Sequence, residues 1–547
     1  MRPWRIASAL AAVSALCVPP AADAAAPPSD ADITKSFETR VAELDKLDPR
    51  APLALETHLR YADYLAKTPG ENCSARLKSA QWQWQSARQN VAIDVVLPQG
   101  LARAADIEYQ IHTALASCGD SSQASSHRDP ELRAALEAAQ RAATLYEDTF
   151  DYPAMVTMQF NAALTYQNLG DTAAAKEALK SVIEADREYG FREDAEENYR
   201  VLLSWADAGT DPGGSPSSER VAALMQDFPK RSTTLNFAWV ARDDSISLKS
   251  ESARVIGDAV VHAGGDRTVA RRIRRRPNGW IVTYQSLASH YSLEPLPPGT
   301  GTGRSFVTSL ADMLLQFHDF TLNDARSSPR GAYFNEAINR DSANSRVQQE
   351  ARAYQEANPP LGNVVPEGTG TVALAPLFNT ALQDLLSPAA ISVETALDYN
   401  LETGAWPGAT LEQGQWYGME LLLPLPFSRR YYMLHQVQFA FTREVPCGNA
   451  ADGACVEILL RAIPDDTELK FALRTLQRPL HLRAGQNLHS SWTMYMRLIT
   501  DPATLQTYHR NMHQHFYVSF DGAGNRAILG ADRSRIDASP VNPPRTE

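Results

Sequence analysis

The chain is predicted to be α+β, an all-α array of helical hairpins followed by a mixed domain with a mainly antiparallel sheet and a few helices. Three observations carry this. Apolar residues recur at helical spacing from Ile33 to Trp205, and a Pro-, Gly- and Ser-rich stretch, Thr210 to Ser218, then interrupts the pattern. Beyond it, short runs rich in β-branched and aromatic residues take over. With 547 residues and 44% hydrophobic content, the chain can bury more than one core. The reading divides it into a leader over 1–24, a helical domain over 30–208, a linker over 209–219, an α+β domain over 220–531 and a disordered tail over 532–547.

The leader has Arg2 and Arg5, then an apolar run from Ile6 to Val18 that Pro19 and Pro20 end. Ala22-Asp23-Ala24 supplies the small-x-small pattern of a signal-peptidase site, so cleavage is expected after Ala24 and the product is expected to be periplasmic or secreted. The run is shorter than the ~20 apolar residues of a membrane span, and no later segment reaches that length. Leu16 before Cys17 is too bulky for lipoprotein processing. Of five cysteines, Cys73, Cys118, Cys447 and Cys455 then remain. An even number in an oxidising compartment reads as two disulfides, with three pairings open. Nearest-neighbour pairing, Cys73–Cys118 and Cys447–Cys455, is the simplest, and loop entropy assigns the two roughly 4 and 2.5 kcal/mol.

Helices are expected at Ile33–Leu47, Pro52–Lys67, Ala75–Ala92, Gln99–Ala116, Pro130–Phe150, Pro153–Leu169, Asp171–Tyr189 and Glu193–Trp205, with Asn, Asp, Gly and Pro in the gaps. Residues Asn161 to Ile183 are the most telling. Ala162, Ala163 and Tyr166 share a face of one helix, Leu169-Gly170-Asp171 breaks it, and Ala175, Leu179, Val182 and Ile183 recur on the next, with Asp171 as its N-cap. This hairpin, about residues 155–189, resembles the tetratricopeptide family, keeping its small residue at Ala163, aromatic at Tyr166, Gly170 and Ala175. It departs from the family at Leu179, Val182 and Arg187. The resemblance implies a stacked helical array whose groove holds a peptide or protein partner. Trp82 and Trp84, two residues apart, cannot both lie centrally on one helical face, so one is expected to pack and the other to line a groove or stand exposed.

After the linker, strands are expected at Thr234–Ala241, Ser245–Ser250, Ala259–His262, Thr268–Arg275, Trp280–Ser286, Gln415–Leu423, Tyr431–Thr442, Cys455–Ala462, His515–Ser519 and Ala527–Gly530. Helical patterns lie between them at Ser305–Phe317, Ser345–Ala357, Leu374–Leu386 and Asp501–Asn511. Arg271, Arg272, Arg274, Arg275 and Arg276, with Arg267, make a positive patch whose side chains alternate between two faces. It suits an anion or an acidic partner, or an edge strand whose charge blocks aggregation. His509, His513 and His515 are weak metal candidates: helical spacing would put the first two one turn apart, yet no carboxylate ligand accompanies them.

Catalytic motifs are missing. Gly299 to Gly303 and Gly368 to Thr371 lack the Lys-Ser/Thr that a phosphate loop needs, and neither Gly-x-Ser-x-Gly nor His-Glu-x-x-His occurs. No cofactor is implied, and a net charge of −12 argues against nucleic acid. The sequence therefore reads as an exported, non-catalytic binding protein using a helical groove for a peptide or protein. The alternatives are a carrier of an apolar, lipid-like ligand, suggested by Trp416 to Tyr432 and the apolar helix Val372–Leu386, and a hydrolase without a familiar motif.

Overall fold

The computed structural model describes residues 29–47, 52–68, 73–88, 98–118, 124–207, 218–236, 241–256, 259–276, 279–296, 304–310, 313–318, 334–337, 409–425, 428–447, 454–464, 488–520 and 527–540. The chain is α+β, a series of helices followed by an antiparallel sheet. The helices are α1 (Asp30–Leu47), α2 (Pro52–Lys67), α3 (Cys73–Arg88), α4 (Pro98–Ser117), α5 (Ala124–Asp148), α6 (Tyr152–Asn168), α7 (Thr172–Tyr189), α8 (Arg192–Asp207) and α9 (Ser218–Met225).

Local chemistry sets where these helices begin and end. Ser29 and Asp32 bond reciprocally ahead of α1, a capping box that satisfies its first amides. Between α6 and α7, Gly170 turns at φ +82° and the Asp171 carboxylate accepts from the Ala174 amide at 3.0 Å, as the sequence predicts. Leu77, Ala80, Ile107 and Ile111 are the centre of the α1–α4 core, and a Cys73–Cys118 disulfide ties the start of α3 to the end of α4. Trp84 packs there and donates from Nε1 to the Ala104 carbonyl at 2.8 Å, while Trp82 is 55% exposed. Helix α9 starts inside the stretch read as a linker. Its Val221 and Met225 pack with Phe228 on Ala195 of α8.

The strands are β1 (Ser232–Thr234), β2 (Arg242–Ile256), β3 (Ala259–Arg276), β4 (Gly279–Leu296), β5 (Arg304–Leu310), β6 (Met313–His318), β7 (Phe334–Ala337), β8 (Thr410–Glu412), β9 (Trp416–Leu425), β10 (Ser428–Pro446), β11 (Ala454–Pro464), β12 (Leu488–Thr500), β13 (Thr507–Phe520) and β14 (Ala527–Pro540). β1 and β8 form a small ribbon. The others make one sheet in the order β7-β6-β4-β3-β2-β14-β13-β12-β11-β10-β9, with β5 also on β4. Every ladder in it is antiparallel. The second disulfide, Cys447–Cys455, closes the β10–β11 hairpin.

Several expectations are corrected here. Ser305–Phe317, read as a helix, is the strand pair β5 and β6, because both pair with β4 and tertiary pairing overrides a helical spacing in so short a run. Asp501–Asn511 is a turn followed by a strand. The Asp501 carboxylate accepts from the Ala503 amide at 2.8 Å and from the Thr504 hydroxyl at 2.9 Å, which competes with helix formation, and β13 then begins at Thr507. The tail read as disordered from 532 is strand as far as Pro540, because β14 pairs with β13 on one side and β2 on the other. The strands expected at Ala259–His262 and Thr268–Arg275 are one, β3. The helices expected at 345–357 and 374–386, both glycine-rich loops and the leader lie outside the described residues. Among the described residues, no helix is long and apolar enough to cross a membrane.

Register divides the sheet into two faces. On one, Val437, Phe439 and Phe441 of β10, Ile458 and Leu460 of β11, Met494, Met496 and Leu498 of β12 and Met512 of β13 form a buried apolar core, closed by Leu235, Leu411 and Leu505 beside the β1–β8 ribbon. On the other lie Glu457 and Arg461 of β11, Tyr495 and Arg497 of β12, and His509, Asn511 and His513 of β13. The helices meet the sheet on this second, polar face.

Candidate site at the helix–sheet junction

Around Glu457, two short segments of the described helical region meet the polar face: Phe150-Asp151-Tyr152, where α5 gives way to α6, and Glu188 to Phe191, where α7 ends. Phe150 closes α5 with φ +61°, a conformation that costs a bulky L-residue about 1–2 kcal/mol. That geometry places its ring edge-on to His513 at 5.2 Å, with the Arg497 guanidinium 5.9 Å from its centroid. Asp151 follows and accepts from Arg461 at 3.0 Å. Arg461 is itself held over the rings of Trp416 and Tyr495, at 5.4 and 5.2 Å. Tyr152 stacks on Tyr189 at 4.2 Å, bringing the two segments together.

Glu457 is the centre of the junction. Its side chain is fully buried and accepts from the Thr442 hydroxyl at 2.8 Å, from Arg443 Nε at 3.2 Å and from Arg497 Nε at 2.5 Å. Arg443 is available because a bulge between Phe441 and Arg443 shifts the register of β10 against β11, which turns it to the polar face. The same guanidinium pairs with Glu188 of α7 and lies 5.3 Å from the Tyr189 centroid. Burial works to lower the Arg443 pKa, but Glu457, Tyr189, Glu188 and Tyr152 together outweigh it and the net shift is upward. Burial pushes the Tyr189 hydroxyl up to about 12, and the Tyr152 hydroxyl upward as well. Arg443 therefore stays charged and the two tyrosines stay neutral near pH 7, as suits a structural weld better than proton transfer.

Backbones meet closely beside the weld. Gly190 ends α7 at φ +82°, and Gly414 follows the ribbon at φ +75°. A Cβ on Gly414 would stand 2.3 Å from the Gly190 carbonyl oxygen, and one on Gly190 would stand 2.8 Å from the Gln413 carbonyl carbon. The Gln413 side-chain amide donates to the Glu188 and Thr442 carbonyls, joining α7 to the bulged strand.

The residues singled out in the sequence fall elsewhere or take other roles. His509 and His513 lie on an extended strand, four residues or about 13 Å apart along the chain, so the one-turn helical spacing is corrected. His509 pairs with Asp537 at 2.5 Å, and His513 meets Phe150. His515 faces Ala531 in the register, and its side chain lies outside the described ones. Among the described residues, no group of three His, Cys, Asp or Glu is placed to hold a metal. Of the arginine patch, Arg271 points inward and is buried, gripping Asp244 at 2.8 and 2.6 Å, while Arg242 adds a contact at 3.1 Å. Burial alone would raise the Asp244 carboxyl, and Arg271 and Arg242 outweigh it and hold it below its usual value. Arg272 and Arg274 lie on the other face and share Asp243. The side chains of Arg275 and Arg276 lie outside the described ones.

Glu457 was missed, although a carboxylate inside the apolar run Cys455 to Leu460 is a readable sign of a buried ion pair. Asp186 was missed too. It follows Leu179, Val182 and Ile183 at spacings of seven, four and three, which puts it on the buried stripe of α7.

No protein-family model matches the chain, and no curated protein matches it. Among solved structures there is a likeness to one titled lipid–protein interactions in lipovitellin, at 10% sequence identity and a TM-score of 0.26. It covers 56% of this chain and 26% of that one, so the chain spans about a quarter of its length. At that score the likeness carries neither fold nor ligand to this protein.

Proposed function

We propose that the protein is a non-catalytic carrier that takes an apolar, lipid-like ligand on the apolar face of its long sheet. The observation that carries this is the length of that face. The β1–β8 ribbon and Leu505 cover one part of it, but strands β10, β12 and β13 are 19, 13 and 14 residues long. The register keeps apolar residues at the same alternating positions farther along these strands: Met433 stands opposite Leu423, Trp492 opposite Phe516, and Leu488 opposite Phe520. Strands of this length exceed the usual five or six residues, and an acyl chain on such a face gains about 0.8 kcal/mol for each methylene removed from water. Among the described residues, the helices pack on the opposite face, around Leu459 and Trp416. Mild purification followed by organic extraction and mass spectrometry should recover acyl lipid, and a fluorescent fatty acid should bind saturably and at least tenfold more weakly to Trp492→Glu. A clean extract together with no saturable binding rejects the carrier.

Capture of a protein partner by the helices is the second reading, and Trp82 favours it. This indole is 55% exposed on α3, which carries Arg76, Lys78 and Arg88 and no acidic residue. Exposed Trp commonly anchors interfaces. Trp82→Ala in the full-length chain should leave the melting temperature in place and lower capture of an exported partner more than tenfold. Undiminished capture by that variant would remove Trp82 from any such interface.

A further inference from the structure

Asp186 sits on α7 with its side chain fully buried against α8. One oxygen accepts from Asn198 Nδ2 at 2.7 Å, and the other, Oδ1, has no hydrogen-bond partner among the described residues. A neutral carboxylic acid suits this site, whereas a carboxylate would have one neutral donor to balance a full buried charge. The position also matters for the junction. The Asp186 carbonyl accepts the Gly190 and Phe191 amides, so the turn that carries Tyr189 and Gly190 onto the sheet is fastened to this residue.

We propose that Asp186 is a proton-operated clamp: protonated, it holds α8 against α7 and keeps the 188–191 turn seated on the sheet; ionised, it loosens both. Few charges surround it. Helix α6 has no charged residue, α8 contributes Asp194 and the neutral Asn198, and β10 contributes Arg443, already engaged by Glu457 and Glu188. On its own helix, Arg187 is turned away to the Asp227 carbonyl and the Tyr199 hydroxyl. Burial pushes the Asp186 carboxyl up to about 7; the Asn198 hydrogen bond opposes this and Asp194 adds to it. The folded value therefore lies above the usual 3.8. The clamp's contribution is complete below about pH 4 and is lost as pH rises through about 7.

Amide hydrogen exchange on the full chain tests this. After correction for intrinsic rates, protection of α8 and of the Gly190 and Phe191 amides should fall on the order of thirtyfold from pH 5.5 to 8, from linkage at one site. Protection of α2 should not change. Asp186→Asn keeps the shape and the acceptor for Asn198, and should be equally protected at both pH values. Wild-type protection of α8 that ignores pH overturns the clamp, as does an undiminished pH response in Asp186→Asn. Should that variant not fold, Asn198→Ala decides: without the donor that favours the ionised form, the loosening must move to higher pH, and an unmoved midpoint overturns the proposal.

Discussion

Glu457→Ala is expected to destabilise the protein by about 3–5 kcal/mol, the cost of leaving buried guanidinium groups without their counter-charge. The carboxylate has no solvent exposure, and Arg443 and Arg497, both largely buried, converge on it. Neither arginine can turn to water without abandoning a ring: Arg443 lies over Tyr189 of α7, and Arg497 over Phe150. The loss should therefore register in the helices as well as in the sheet. Urea denaturation followed by far- and near-ultraviolet circular dichroism measures it. A second variant separates charge burial from docking. Glu457→Leu combined with Arg443→Met and Arg497→Met removes the buried charges together and should recover much of the stability. It should still leave α6 and α7 more open to protease, because the ring contacts and the Glu188 pair are gone. A change under 1 kcal/mol in Glu457→Ala would mean that the weld contributes nothing to holding the two layers together.

Much of the architecture was legible because local signals and tertiary packing agree over long stretches. The helices from Asp30 to Asp207 carry apolar stripes at helical spacing between Gly, Pro and Asp breaks, and β9, β10 and β11 are runs rich in apolar, aromatic and β-branched residues on either side of Cys447 and Cys455. Where the two disagreed, the sheet won. The segments around Phe306 and Tyr508 have spacings that either state can accommodate, and pairing with β4 and β12 decides them. The junction was less legible for a different reason. Its partners are far apart in the chain, with Glu188 and Arg443 separated by 255 residues and Asp151 and Arg461 by 310. Each half looked like an ordinary charged surface position. Only the bulge after Phe441, which no short-range pattern announces, turns Arg443 toward its acids. The hairpin resembling a tetratricopeptide unit was visible as a helical pair, but its docking on the sheet through Tyr152, Tyr189 and Gly190 was not.

Gly414→Ala should pry the layers apart from the backbone side. Its φ of +75° costs an L-residue about 1–2 kcal/mol. The new methyl group would stand 2.3 Å from the Gly190 carbonyl oxygen and 2.6 Å from its carbon, far inside van der Waals contact. Neither atom can give way alone, since Gly190 caps α7 through the Asp186 carbonyl and is itself left-handed. Overpacking of a close contact adds about 1–3 kcal/mol, so a total near 2–5 kcal/mol is expected. Gly170→Ala is the matched control. Its φ of +82° imposes the same backbone cost, but nothing lies within 4 Å of the added Cβ. Calorimetric melting should therefore fall clearly further for Gly414→Ala than for Gly170→Ala, and limited proteolysis should cut between α8 and β1 in the former alone. Equal melting temperatures for the two variants would show that the close approach of Gly190 and Gly414 is not what seats the helices on the sheet.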